Sequence, residues 1–222
     1  MRSREPIPLT LEQIAAANRL HDQLDQWRRS DRALEELKHR CPGFGPEATL
    51  LKVVTVNSLY GTNVYATLRM AQHVEQVMAD PGVAQMGLEL VERLANVPMG
   101  GGETKPIRRY SFASKFAHFF VDAERFPIFD SYAKKMVRFH LGGSGFAHNP
   151  RKPYLAFVEN INRLVEMAGF TGTRRALDRY LWLAGQYMEW EKDHDAKINA
   201  ECKMTFKKKS TDIRCLRFGK AV

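Results

Sequence analysis

The chain has 222 residues, 44% hydrophobic and 27% charged, which is typical of a globular protein long enough to bury a substantial core. Its 34 Lys and Arg against 25 Asp and Glu give a formal net charge of +9, which favours a polyanionic partner, nucleic acid ahead of an anionic membrane. Three cysteines without C-x-x-C spacing and seven histidines without an H-E-x-x-H pair argue against a disulfide framework, an iron–sulfur cluster and a catalytic zinc.

From this composition we expect no cofactor and no metal. The sequence contains no apolar run long enough to span a membrane and no signal peptide. It therefore predicts a soluble, cytoplasmic protein with reduced thiols and no membrane partner.

Helical periodicity runs through most of the chain. Thr10 and Gln13 have the spacing of a capping box, and the apolar stripe that follows continues to Trp27. The segment 141–153 is rich in Gly and Pro and is the clearest linker. The predicted helices span residues 10–27, 31–39, 46–59, 64–79, 83–96, 111–121, 130–140, 153–168 and 173–192.

The pattern changes after about residue 200. Met204 and Phe206 alternate with charged residues, and residues 203–222 hold seven Lys or Arg and one Asp. This end could form a short β-hairpin or an extended arm, which is either solvated or in contact with phosphates.

Two segments carry a more specific pattern. In LLKVVTVNSLYGTNVYATLRMAQHV (50–74) an apolar helix leads through a short polar turn into a second helix. In SKFAHFFVDAERFPIFDSY (114–132) Lys115 precedes an aromatic run, and Asp130 stands at the start of the next helix. Lone lysines in helices are usually at the surface, and aspartates at helix starts are usually caps.

In this order the two segments resemble the helix-hairpin-helix (HhH-GPD) superfamily of DNA glycosylases, in particular its 8-oxoguanine-glycosylase-like members. The resemblance spans about residues 50–140, and 175–190 looks like the helix that closes the base pocket. It implies an all-α, two-lobed fold with a DNA-binding cleft between the lobes. The domains would be N-terminal helices 1–45 packing with the C-terminal lobe, a lobe 46–141, C-terminal helices 142–200 and a basic arm 201–222.

The resemblance also implies an activity, the flipping and excision of an oxidised or hypermodified base from double-stranded DNA by a monomer. Lys115 matches the nucleophilic lysine, which could also give AP-lyase activity through a Schiff base, and Asp130 matches the essential aspartate. A carboxylate near the sugar stabilises an oxocarbenium-like transition state, and a desolvated amine can attack the sugar carbon. The biological role would be DNA repair or defence against phage DNA.

Further residues take expected roles from the same resemblance. The base pocket or wedge would use Tyr60, Asn63, His118 and Trp182. Phosphate contacts would come from Lys105, Arg108, Arg109, Ser111, Ser114 and Lys134. The family usually has L-P-G-[VI]-G before the lysine, whereas this chain reads RRYSFASK (108–115), so small side chains and arginines would replace the glycines.

Two other classes of function remain open at this point. A non-catalytic helical DNA-binding protein would explain the absent glycine motif. A helical protein–protein adaptor would leave the basic end and the Lys115/Asp130 pair as coincidences.

Overall fold

The structure is a computed structural model that describes residues 6–98, 107–143, 145–208 and 210–216. These residues form eleven α-helices, a 3₁₀ turn and one two-stranded antiparallel sheet, which confirms the all-α class. The helices are α1 (Leu11–His21), α2 (Asp25–Arg40), α3 (Pro46–Tyr60), α4 (Thr67–Met78), α5 (Glu89–Ala95), α6 (Tyr110–Phe120), α7 (Ser131–Leu141), α8 (Pro153–Ala168), α9 (Arg174–Lys192), α10 (Ala200–Phe206) and α11 (Thr211–Cys215). The strands are β1 (Asn96–Val97) and β2 (Ile107–Arg108), and the 3₁₀ turn is Val83–Gln85.

The predicted capping box at the start of α1 is present. The Thr10 hydroxyl accepts from the Gln13 backbone N–H at 3.2 Å, and the Gln13 side chain accepts from the Thr10 N–H at 3.1 Å. Both side chains satisfy N–H groups that an α-helix leaves without partners, so the helix start follows from local sequence.

The chain divides into two compact units. Unit 1 comprises Met1–Arg29, Asp130–His148 and Ala156–Val222, and unit 2 comprises Ser30–Phe129 and Asn149–Leu155. The division falls inside α2 and α8 and immediately before Asp130.

Unit 2 is built around α3 and α6. Helix α3 packs against α4 and α6, α5 packs against α6, and the β1–β2 pair joins Val97 opposite Ile107. Val53, Val56 and Phe112 are fully buried. Helix α6 is buried on nearly every side, from Phe112 to His118 and again at Phe120.

Unit 1 is built around α9. Helices α1, α7 and α10 pack on α9, and α11 packs on α1. Tyr180, Leu181 and Leu183 of α9 are fully buried. Gly185 allows the close approach of α7, since a Cβ there would lie 2.7 Å from the Tyr132 Cβ.

Two predicted helix boundaries are wrong. The stripe that ends at Trp27 belongs to two helices, because α1 ends at His21 and the fully buried Leu24 lies in the short connection before α2. The predicted helix 83–96 is split into the 3₁₀ turn and α5. Gly87 separates them with a φ of +58°, which a helix interior does not adopt.

The predicted hairpin or extended arm at the C-terminus is also wrong for the described residues, which form α10 and α11. Cys202 and Phe206 are four residues apart and both buried, which is helical spacing, while the alternating Met204 is 62% exposed. The side chains of Asn199 and Ser210 accept the first N–H groups of these two helices.

Among the described residues, no helix has the length and apolar character needed to cross a membrane.

Candidate functional site

The start of α6 is anchored within unit 2. The Arg109 backbone N–H donates to the Ala95 carbonyl at 2.8 Å, so β2 leads directly into the helix. The Tyr110 hydroxyl donates to the Glu92 carboxylate at 2.6 Å, and burial together with this bond raises the pKa of Tyr110. Glu92 also accepts from the Tyr154 N–H at 3.1 Å, which joins α5, α6 and α8 at one carboxylate.

Lys115 lies one turn further along α6 and is only 5% exposed. Its Nζ donates to the Ser111 Oγ at 2.9 Å, a contact between residues four apart on one helix face. On the same helix the rings of Phe112 and Phe116 stack at 5.8 Å. The Lys115 amine is therefore largely withdrawn from bulk water.

Three hydrogen bonds hold the segment after α6, two of them made by side chains of α6 and one by Tyr154 of α8. The Ser114 Oγ accepts from the Phe129 N–H at 2.9 Å, and the Tyr154 hydroxyl donates to the Pro127 carbonyl at 3.0 Å. His118 is 2% exposed, and its Nδ1 lies 2.9 Å from the Phe126 carbonyl oxygen. Because a carbonyl only accepts, Nδ1 carries the proton and donates this hydrogen bond. His118 thus packs in the core of unit 2. Ser114 fixes the backbone at Phe129 through its hydroxyl, a role that the sequence analysis did not predict.

Asp130 begins the next helix, in unit 1. It is the N-cap of α7, with extended backbone, and its Oδ1 accepts from the Ala133 N–H at 2.9 Å. The residue is half-buried. Local sequence thus produces a capping aspartate, as expected, and the helix dipole favours its negative charge.

The turn between α3 and α4 carries the residues expected to form a wedge. The hydroxyl of Tyr60 donates to Asp31 at 2.6 Å and its ring lies 5.1 Å from that of Phe119, so this side chain is packed. Asn63 is exposed, with a φ of +55°. Tyr65, which the sequence analysis did not select, is 89% exposed.

Tyr65 borders a cavity of about 210 Å³ in unit 2. Arg69 and Arg109 also line it, above an apolar floor that includes Met70 and Ile107. An exposed aromatic ring beside two guanidinium groups is suited to stacking and phosphate contact with nucleic acid. The sequence placed Tyr65 just after the predicted turn, but its exposure is known only from the structure.

The other residues expected to contact DNA are distributed over both units. Arg108 is exposed in unit 2, and Lys134 is exposed on α7 of unit 1. Trp182 of unit 1 is half-buried and packs 4.4 Å from the ring of Trp27, which is also half-buried. Lys105 lies outside the described residues.

Lys52 is a second buried lysine that the sequence analysis missed. It is 2% exposed, donates to the Gly43 carbonyl, and places Nζ 4.4 Å from the ring centre of Phe44. Burial lowers the pKa of this amine. The sequence analysis could not predict the burial of Lys52, because the segment that forms α3 is apolar on nearly every side and shows no polar face from which a buried lysine would stand out.

The part of the chain that the structure describes contains no group of three or more His, Cys, Asp or Glu side chains placed to hold a metal ion.

One family model matches residues 12–124, just over half of the chain, and it is described as HI_0787_N, an N-terminal domain. The chain belongs to the HI_0787_N family. The range shared with this family runs from α1 through α6, so it includes Lys115 and ends before Asp130. The comparison with curated proteins found no match, and neither did the comparison with solved structures.

Proposed function

We propose that the protein is a DNA glycosylase that flips a modified base out of double-stranded DNA and cleaves its N-glycosidic bond. The two-lobed glycosylase architecture and a monomeric state are part of this proposal. The observation that carries it is the burial of Lys115, 5% exposed and hydrogen-bonded through Nζ to Ser111, on a helix of aromatic residues. Lysine is almost never buried to this extent without a structural or chemical reason.

The chemistry assigns one step to each of the two residues. The unprotonated Nζ of Lys115 attacks C1′ of the flipped nucleotide while the bond to the base breaks, and the base leaves with that electron pair. Asp130, ionised at the start of α7, offsets the positive charge that develops on the sugar. The nitrogen then gives one proton to the departing base, its electron pair breaks the C1′–O4′ bond, and its second proton passes to O4′, which gives an imine, the intermediate of an AP lyase.

The exposed residues around the α3–α4 turn support DNA as the substrate. Tyr65 is the most exposed large side chain of this region, and Arg69 and Arg109 lie at the same cavity. Insertion of an aromatic side chain fills the space that a flipped base leaves, and the guanidinium groups contact phosphates. We assign the wedge to Tyr65 in place of Tyr60, whose hydroxyl is held by Asp31.

Trapping the imine with borohydride tests the nucleophile directly. The wild-type protein is incubated with duplexes that carry 8-oxoguanine or hypermodified bases, reduced, and separated on denaturing gels. We expect a covalent protein–DNA species and abasic sites for at least one duplex. Lys115→Gln should abolish the covalent species and slow excision.

Lys52→Met is the matched control, because Lys52 is the other buried lysine of unit 2 that the structure describes in an aromatic setting. It should leave the covalent species unchanged. Trapping that survives Lys115→Gln but is lost in Lys52→Met would move the nucleophile to α3. Absence of excision from every duplex, with DNA binding intact, would refute the glycosylase proposal.

That last outcome would favour a non-catalytic DNA-binding protein. One observation supports this second candidate, because the Asp130 carboxylate already has a structural role as the cap of α7. A capping role alone predicts that Asp130→Asn changes neither DNA binding nor stability by much, since asparagine also caps helices.

A further inference from the structure

A cavity of about 500 Å³ lies in unit 1, where the end of α9 meets α10 and α11. This volume is within the range of about 300–1,000 Å³ typical of small-molecule sites. Tyr187 and Trp190 in its lining belong to the end of α9, and the other lining residues belong to the C-terminal segment after residue 200. The steps of the DNA glycosylase proposal use none of them. The cavity is therefore a site without an assigned role.

One wall of the cavity is aromatic. Tyr187, Trp190 and Phe206 line it, with the ring of Phe206 5.2 Å from Tyr187 and 5.8 Å from Trp190. Tyr187 and Phe206 are nearly fully buried. Trp190 is half-buried and stacks on the His194 ring at 4.4 Å, so the rest of its surface is the accessible aromatic part of this wall. The Trp190 Nε1–H donates to no acceptor among the described residues, which leaves a hydrogen-bond donor in this wall.

The cavity is also lined by cationic side chains. Lys207, Lys208 and Arg214 line the cavity and are exposed, and none of them lies within 4.0 Å of a described carboxylate. Basic residues close to them in the fold are paired, as Lys203 is with Asp195 at 3.8 Å. Glu191, which follows Trp190 in α9, accepts a hydrogen bond from the Tyr187 hydroxyl at 3.3 Å. Three uncompensated positive charges therefore face one aromatic pocket.

We propose that this cavity binds a phosphorylated nucleoside, with the base against Trp190 and the phosphate against Lys207, Lys208 and Arg214. An aromatic wall favours a flat ring, and a cluster of cations favours a phosphate dianion. The cavity is large enough for one nucleotide and too small for a folded peptide. The ligand is either a free nucleotide or one nucleotide of a single strand, since both present the same chemistry.

Isothermal titration calorimetry of the full chain tests this proposal. AMP and dTMP should bind with one site per chain, and about tenfold more tightly than adenosine and thymidine, since one charge-assisted contact accounts for a factor of this size. A single-stranded oligothymidylate is then added as competitor. Displacement of dTMP by the oligomer at lower concentration identifies a strand as the source, and failure to displace it identifies the free nucleotide.

Variants locate the binding site. Lys207→Glu with Lys208→Glu should weaken AMP binding by about tenfold or more, because both charges are reversed. The matched control is Arg138→Glu with Lys197→Glu, two exposed cations of the same unit that do not line the cavity, and it should bind AMP as the wild type does. Trp190→Phe should remove the ligand-induced change in fluorescence, while Trp27 and Trp182 remain as unaffected emitters.

Two results would overturn the proposal. One is the absence of AMP and dTMP binding at millimolar concentration in a wild-type protein whose circular dichroism shows a folded chain. The other is binding that the Lys207→Glu/Lys208→Glu variant retains in full. Lys115→Gln should leave AMP binding unchanged, so failure here is distinguishable from failure of the glycosylase proposal.

Discussion

Burial of His140 makes this side chain a determinant of stability in acid. It is 1% exposed, with Nδ1 2.7 Å from the Ile7 carbonyl and Nε2 2.7 Å from the Tyr180 hydroxyl. The carbonyl can only accept, so Nδ1 carries the proton and Nε2 accepts from tyrosine. Burial lowers the pKa of His140 from 6.5 to about 4, because the apolar surroundings disfavour the charged ring.

This shift predicts a loss of stability on acidification. Below pH 6.5 His140 becomes protonated in the unfolded chain, whereas in the folded chain it stays neutral down to about pH 4. The stabilisation present above pH 6.5 is therefore lost progressively as the pH falls to 4. The loss should be roughly 3 kcal/mol, measured by urea unfolding across this range. His140→Gln should be less stable at pH 7 but have a flatter pH profile. His39→Gln, at an exposed histidine, should follow the wild type, and an equally flat profile in both variants would contradict the prediction.

Asp130 allows its structural and catalytic roles to be separated at a single position. Asp130→Asn keeps a side-chain acceptor for the Ala133 N–H but removes the charge, so stability should change little while excision falls about 10²- to 10³-fold. Asp130→Ala removes the cap as well and should cost about 1 kcal/mol in urea unfolding.

Thr173→Ala serves as the control for Asp130, since Thr173 caps α9 through the Ala176 N–H at 3.2 Å. It should show the same stability cost of about 1 kcal/mol with normal excision per folded molecule. Full excision by Asp130→Asn would leave Asp130 as a cap only.

At the scale of elements, the contact between α7 and α9 depends on a residue without a side chain. A Cβ on Gly185 would lie 2.7 Å from the Tyr132 Cβ and 3.0 Å from its Cα, closer than real Cβ atoms approach. The helix that carries Asp130 at its start therefore packs through this glycine onto the central helix of unit 1.

Gly185→Ala should destabilise the protein even though alanine is the better helix former. Overpacking typically costs about 1–3 kcal/mol, whereas the gain in helix propensity is about 1 kcal/mol. The control is Gly45→Ala, where nothing lies within 4 Å of the added Cβ and φ is −65°. Because Gly45 is the N-cap of α3 and alanine caps less well than glycine, this control should cost up to about 1 kcal/mol, and an effect of Gly185→Ala no larger than that would argue against the close contact.

At the scale of the whole molecule, the net charge of +9 predicts salt-sensitive DNA binding. Each phosphate that a Lys or Arg neutralises steepens the fall of log K with log salt by about 0.9, because counterions are released. Arg108→Gln with Arg109→Gln should reduce the slope by about 2 and weaken binding to all sequences alike, measured by fluorescence anisotropy at several salt concentrations.

Arg29→Gln with Arg40→Gln is the control for this measurement. Both arginines already pair with carboxylates of α2, Asp25 at 2.7 Å and Glu36 at 3.0 Å, so they should release few counterions. Binding that is the same at low and moderate salt would contradict the polyanion prediction altogether.

Local features of the sequence were sufficient for most of the secondary structure. The box at Thr10 and Gln13, Pro46 at the start of α3 and Asp130 at the start of α7 act within one turn, so a helix start can be inferred from neighbours alone. The sequence analysis missed the break between α1 and α2 because Leu24 continues the apolar stripe. In the structure Leu24 is fully buried although it lies in the three-residue connection between the two helices, so the stripe alone could not show where α1 ends.

The residues at the candidate sites depended on contacts distant in sequence. Periodicity could place Lys115 on an apolar helix, but its burial follows from packing of α6 against α3 and α5. Spacing likewise put Tyr60 and Tyr65 at one turn. Tyr60 is packed because its hydroxyl bonds to Asp31, 29 residues away, whereas Tyr65 is 89% exposed, and spacing alone does not distinguish the two. The cavity at Trp190 is lined by side chains from the ends of α9, α10 and α11. The alternating charges of the C-terminal segment predicted an arm, and an arm groups different side chains on one face than a helix does. The cavity therefore could not be predicted from that pattern.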